Sequence, residues 1–149
     1  MSPFDPAAAA TEAGKVVLRE VQRAIRAGDS FAIESTLSGR TYLQILRQAR
    51  DAGFVLHLFY LWIPSVDLGL ARIRDRVEAG GHNVPEPDVR RRYTRSLQNL
   101  FALYGPEVDT IHFFDNSGEN PNLIFKQESG KTTVLNRPLH MEITKQVTQ

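Results

Sequence analysis

The sequence predicts an α/β protein in which helices flank a parallel sheet, with an arginine-rich helical lid and a C-terminal β-hairpin. Three observations carry this. Helical apolar periodicity alternates along the chain with short apolar, strand-like runs. Phe54 to Ile63 (FVLHLFYLWI) is apolar at both alternating sets of positions, the pattern of a central strand covered on both faces. Between Ala71 and Leu100 two helical patterns flank the loop Gly80-Gly81-His82-Asn83-Val84-Pro85. They carry Arg72, Arg74, Arg76, Arg90, Arg91, Arg92 and Arg95.

Taken in order, Asp5 is placed to cap a helix with Pro6 at its first position, and Val17, Val21, Ala24 and Ile25 recur on one face until Gly28. Ser30 to Ser35 (SFAIES) reads as a short buried strand. After the polar turn ESTLSGR, residues 41–52 place Tyr42, Ile45, Leu46 and Ala49 on one helical face, with Gly53 as the stop. Pro64 ends the central run and Ser65 caps a helix over 66–79, with Val66, Leu70, Ile73 and Val77 inward. The second lid helix runs from Pro87 to Tyr104, with Val89, Tyr93, Leu97, Leu100, Phe101 and Tyr104 as its apolar stripe. Thr110 to Asp115 reads as a strand. Residues 122–127 and 132–136 form a hairpin around Glu128-Ser129-Gly130-Lys131, and residues 138–149 are left as a tail. Residues 1–137 are read as one domain or part of one, with the lid at about 71–104.

Composition narrows the classes of function. The 149 residues are 42% hydrophobic and 23% charged, as in ordinary globular proteins. A formal charge of +1 argues against a general polyanion binder, so any phosphate chemistry must come from local arginine clustering. The absence of cysteine excludes disulfides, thiolate zinc sites and a cysteine nucleophile. No signal peptide is recognisable, and the apolar run Val55–Pro64 is about half the ~20 residues a membrane helix needs. A cytoplasmic protein without membrane or nucleic-acid partners is the expectation.

Guanidinium groups are rigid forks for carboxylate and phosphate oxygens, so arginines bracketing a glycine-rich loop suggest a phosphate-gripping lid. Arg72, Arg74 and Arg76 cannot all face one ligand. Arg76, nearest the loop, is the preferred phosphate ligand, and the simpler reading of Arg90, Arg91 and Arg92 is a solvated basic helix face. His82 is either a loop surface residue or a ligand contact, and His57 within its apolar run reads as a hydrogen-bonded core histidine. Ligands of α/β sheets bind at carboxyl ends of strands, which places Glu34 and Thr36 of ESTLSGR where they could bind sugar-like hydroxyls. The simpler role for Thr36 or Ser38 is to cap the next helix. No metal-ligand spacing stands out. Ser129-Gly130-Lys131-Thr132 imitates the end of a P-loop, but Phe125 stands where the first glycine belongs and a strand follows, so it reads as a hairpin turn.

FAIESTLSGRTY and RDRVEAGGHNVPEPDVRRRY, with SPFDP before and FFDNSG after, make residues 2–128 resemble the zeta toxin-like P-loop kinases. That resemblance implies the fold of a P-loop NTPase and transfer of the ATP γ-phosphate, with Mg²⁺, to a hydroxyl of a small substrate such as a UDP-N-acetyl amino sugar. It implies substrate contacts at Glu34, Thr36 and Arg40, and an ATP-phosphate lid of Arg76, His82, Arg90, Arg91 and Arg92. An antitoxin protein becomes a partner to expect.

Family members carry a strand, a Walker A loop and a strand bearing the catalytic aspartate ahead of the SPFDP segment, whereas here Met1 directly precedes it. The resemblance therefore implies an incomplete P-loop NTPase sheet with no P-loop lysine or catalytic Asp, and a chain inactive by itself. In such kinases the missing strand lies between those matching Phe31–Ser35 and Leu56–Leu61. Either these two pair directly or an edge stays open through which the chain self-associates. The alternative function is a non-enzymatic remnant that binds a nucleotide-sugar or a partner protein.

Overall fold

The computed structural model describes residues 6–148 and is a mixed α/β structure. Helix α1 (Pro6–Ala27) ends at Gly28, whose φ of 75° closes the helix as expected. The N-cap assigned to Asp5 lies outside the described residues. The C-terminal part of α1 docks through Val21 and Ala24, which are buried, whereas Val16 and Val17 are exposed. Helix α2 (Leu43–Asp51) buries Leu43, Ile45 and Ala49.

Strand β1 (His57–Trp62) leads through Ser65 into helix α3 (Val66–Glu78), with the Ser65 hydroxyl accepting from Leu68 N at 3.3 Å. Helix α4 (Glu86–Asn99) runs into a π-helical turn over Leu100–Tyr104 and a 3-10 turn over Gly105–Glu107. Strand β2 (Thr110–Asp115) follows, with the bounds expected for it. Strands β3 (Asn122–Glu128) and β4 (Lys131–Val134) form the hairpin. Ser129 and Gly130 both take positive φ, as a two-residue turn matched to strand twist requires. This disposes of the P-loop imitation at Ser129–Thr132.

The sheet order is β1-β2-β3-β4. Only β1 and β2 are parallel; the two remaining pairs are antiparallel, so the sheet is mixed rather than parallel. Its core face packs against α4 and helix α5 (Arg137–Thr148), which occupies most of the stretch read as a tail and buries Ile143 in the core. Trp62, Leu97, Leu100, Phe113, Ile124 and Phe125 complete that cluster. Phe113 is fully buried, with its ring centroid 5.0 Å from Tyr60 and 4.8 Å from Phe125.

Two expectations about strands are overturned. Residues 31–38 have no regular structure, so the SFAIES strand does not form. Phe31 packs on Phe54 (5.7 Å between centroids) and Leu37 O accepts from Asn99, which fixes the segment elsewhere, and a strand without a ladder has no partner for its backbone groups. The second concerns β1, which is an edge strand instead of a central one. Its outer face is bare: Phe59 is 63% and Leu61 55% exposed. For the same reason His57 is an exposed residue rather than a core one, although its Nδ1 does hydrogen-bond Thr110 Oγ1 at 2.7 Å.

Candidate functional site

The lid is a helical hairpin built by a specific C-terminal stop. Gly80, at φ 90°, donates its N–H to Val77 O (2.9 Å), and Gly81 donates to Arg76 O (2.8 Å). These are the two bonds of a Schellman motif, which satisfies the last carbonyls of α3. A Cβ on Gly81 would lie 2.6 Å from Arg76 Cγ and 2.8 Å from Arg76 O, so this position tolerates only glycine without rearrangement. Arg76 then folds over the loop and donates from Nη2 to His82 O at 3.2 Å.

The structure sorts the arginines by what holds them. Arg90 donates to Glu86 (2.8 Å) and to Asp67 of α3 (3.3 Å), and the bond to Glu86 holds its guanidinium above its ordinary pKa. Arg91 pairs with Asp88 at 2.7 Å. Both are therefore engaged by carboxylates one turn away on α4, as a solvated helix face would be, and Arg90 reaches Asp67 of α3 as well. Arg72 donates to Ser117 O at 3.1 Å. Arg74, Arg92 and Arg95 have no salt bridge or hydrogen bond among the described residues, and all three are exposed. His82 is exposed as well, and its carbonyl rather than its ring braces the loop.

Glu34, Thr36 and Arg40 are all exposed on the segment leading to α2. Thr36 Oγ1 hydrogen-bonds Ser38 Oγ (2.8 Å), and the Ser35 hydroxyl accepts from Leu37 N (3.1 Å). Neither Thr36 nor Ser38 caps α2; Tyr42 is the N-cap and makes no side-chain cap bond. Leu37 sits at φ 53°, a left-handed conformation costing roughly 1–2 kcal/mol in a residue with a Cβ. Two bonds hold it there: Asn99 Nδ2 donates to Leu37 O and Tyr104 OH to Gly39 O, each at 2.7 Å. Strain of this kind, overdetermined by its surroundings, concentrates at ligand-binding loops. Nothing in the spelling ESTLSGR signals it, because leucine is not a residue that seeks positive φ.

The two predicted halves of the site are thus joined through α4 without being adjacent. Asn99 holds the Glu34–Arg40 loop, while Arg90 lies nine residues earlier, about 14 Å along the helix axis. No hydrogen bond or ion pair links Glu34, Thr36 or Arg40 to the lid arginines among the described residues. A cleft of about 290 Å³, missed in the sequence, opens at the carboxyl end of β1 against α4 and α5, lined by Pro64, Ser65, Tyr93, Thr94, Leu97 and Gln146. Tyr93 OH donates there to Ile63 O at 3.0 Å, and burial pushes its hydroxyl above the ordinary pKa. Below the loop, Glu107 ties α2 to the end of the α4 segment by pairing with Arg47 (2.7 Å) and Arg50 (3.0 Å). Among the described residues no three imidazole or carboxylate groups converge on one point.

Fold and site define a mixed α/β protein with an arginine-bearing helical hairpin and a strained polar loop hung from it. Among the described residues no helix is long and apolar enough to cross a membrane. Over 93 residues, 62% of this chain, the sequence is 39% identical to an uncharacterised protein of Haemophilus influenzae. The match covers 66% of that protein's length, just short of two thirds. No family model matches the sequence. No solved structure matches it.

Proposed function

We propose that this chain is the substrate- and lid-bearing part of a zeta toxin-like kinase, a P-loop NTPase that phosphorylates a hydroxyl of a small substrate such as a UDP-N-acetyl amino sugar. The observation that carries the proposal is the attachment of the strained Glu34–Arg40 loop to the C-terminal end of the lid helix through Asn99 and Tyr104. Movement of the lid would be transmitted to the loop, so that gripping a phosphate and orienting a hydroxyl become one event. In this proposal Glu34 and Thr36 bind the sugar hydroxyls and Arg40 the diphosphate. On the lid, Arg76, His82 and Arg92 close toward the transferred phosphate, while Arg90 and Arg91 first exchange their carboxylate partners. The 149 residues contain no GxxxxGK[ST], so phosphoryl transfer requires a P-loop strand joined to this chain in cis or in trans, and ATP and Mg²⁺ would be held from that side. An antitoxin would bind over the same site.

Calorimetric titration with UDP-N-acetylglucosamine tests the reading. Saturable binding is expected, weakened about tenfold by Glu34→Gln or Thr36→Val, the scale of one hydrogen bond to a polar ligand group, and unchanged by Lys131→Ala at the hairpin turn. Absence of binding refutes the substrate assignment. Mg²⁺-dependent saturable ATP binding by the chain alone contradicts the division of labour. If nucleotide-sugar binds but no added P-loop segment confers transfer, the alternative of a non-enzymatic binding remnant stands.

A further inference from the structure

The backbone groups of β1 that face away from β2 make no hydrogen bond among the described residues. On the outer face of the same strand Phe59 and Leu61 are exposed, and Val55 just before it is 67% exposed. A parallel strand pair normally lies under cover on both faces. Here the outward row of a parallel pair is apolar and naked.

We propose that this edge is a self-association surface, on which β1 of a second copy of the chain pairs antiparallel to extend the sheet across a two-fold axis. Natural edge strands are blunted by lysine, proline, a bulge or short length. Strand β1 has none of these: six residues, His-Leu-Phe-Tyr-Leu-Trp, in unbroken register with β2 and without a charged carboxylate, lysine or arginine. The opposite edge, β4, is the contrast, being four residues long with exposed Lys131, Thr132 and Thr133.

The chemistry of the edge also describes its occupant. The added strand must be neutral, about as long as β1, apolar outward to continue Phe59 and Leu61, and apolar inward to continue Leu58, Tyr60 and Trp62. Among the strands of the described residues only β1 meets that description, since β2 and β3 are bonded on both sides and β4 is short and polar. An isologous pair presents each residue to its counterpart, so a strand free of formal charge meets no like charge across the axis. Antiparallel pairing about Phe59 or Tyr60 sets aromatic rings opposite one another, a favourable cross-strand arrangement. The inference is independent of the kinase reading, because it needs only the open edge of β1; a P-loop strand joined to the chain would compete for the same edge.

Sedimentation analysis of the full chain at about 1 μM and about 100 μM, concentrations that bracket a micromolar dissociation constant, is the test. The mass should approach 33.6 kDa, twice the 16.8 kDa of one chain, at the higher concentration. The double variant Phe59→Lys, Leu61→Lys, at positions already exposed, should remain at 16.8 kDa with an unchanged far-UV circular dichroism spectrum. A wild-type monomer at about 100 μM overturns the proposal, including one that gains mass only when another protein is added. A dimer retained by the folded double variant overturns it too. If the variant fails to fold, deuterium uptake by wild-type residues 57–62 decides: slower exchange at the higher concentration supports pairing, and equal exchange overturns it.

Discussion

Replacing Gly81 by alanine should open the lid loop, and the structure sets the size of the effect. The new methyl would sit 2.6 Å from Arg76 Cγ and 2.8 Å from Arg76 O. The arginine stem can swing aside, but the carbonyl is the acceptor for Gly81 N–H at 2.8 Å and belongs to the last turn of α3. Relief therefore requires residue 81 to retreat, breaking that hydrogen bond, worth about 1 kcal/mol, and displacing His82 O from Arg76. Adding a similar amount for residual crowding gives about 2 kcal/mol, or a fall in Tm of about 4–8 °C for a domain of this size. Because the loop is exposed, part of the cost will appear as local opening instead of global unfolding. Denaturant titration should be combined with hydrogen exchange across residues 79–84, and Gly118→Ala, whose Cβ meets nothing within 4 Å, serves as the control. A Gly81→Ala protein within about 0.5 kcal/mol of that control, with unchanged exchange in the loop, would refute the steric argument.

Burial pushes the Tyr60 hydroxyl, bonded to Ser96 Oγ at 2.9 Å, up to about 12 from an ordinary 10.0. The unfolded chain thus ionises first. Stability present below pH 10 is lost as pH rises toward 12, by roughly 3 kcal/mol, and Tyr60→Phe should flatten that alkaline limb in pH-dependent denaturation. Phe113→Ala, at the centre of the ring cluster, should cost about 3–5 kcal/mol by the same measurement; a loss below about 1 kcal/mol would mean the core repacks freely. At the hairpin, Lys126 holds the Glu128 carboxyl below its ordinary pKa through a 2.7 Å contact. That contribution exists above about pH 4.5 and fades as pH falls through the lowered value, so Lys126→Ala should raise the Glu128 midpoint in an NMR titration. In a chain joined to a P-loop segment, Arg76→Ala should slow turnover at least about tenfold, and unchanged kinetics would leave Arg76 as a loop brace alone.

Local signals in the chain determined most of its elements. Ser65 before α3, the glycine pair after it, Ser129-Gly130 between β3 and β4, and the alternation in Thr110–Asp115 all act within a few residues, through capping, left-handed backbone or side-chain period. Helix α5 escaped because its apolar positions are few and gain meaning only against β3. Long-range geometry decided the rest. Phe54–Ile63 is apolar on both faces whether or not a neighbour exists to cover it, so only the sheet order could show that β1 stands at an edge. SFAIES has strand composition, yet a strand is a property of two chains of backbone, and Phe54 and Asn99 hold this one away from any ladder. The same division applies to the site. Guanidinium chemistry and nearness to the loop marked Arg76, whereas Glu34 and Thr36 were placed by the end of a strand that does not form, and Arg40 and the lid role of His82 came from the family resemblance. That Arg90 also reaches Asp67, and that Leu37 is strained and hung from α4, depends on partners 23 to 62 residues away, and only the tertiary structure brings those together.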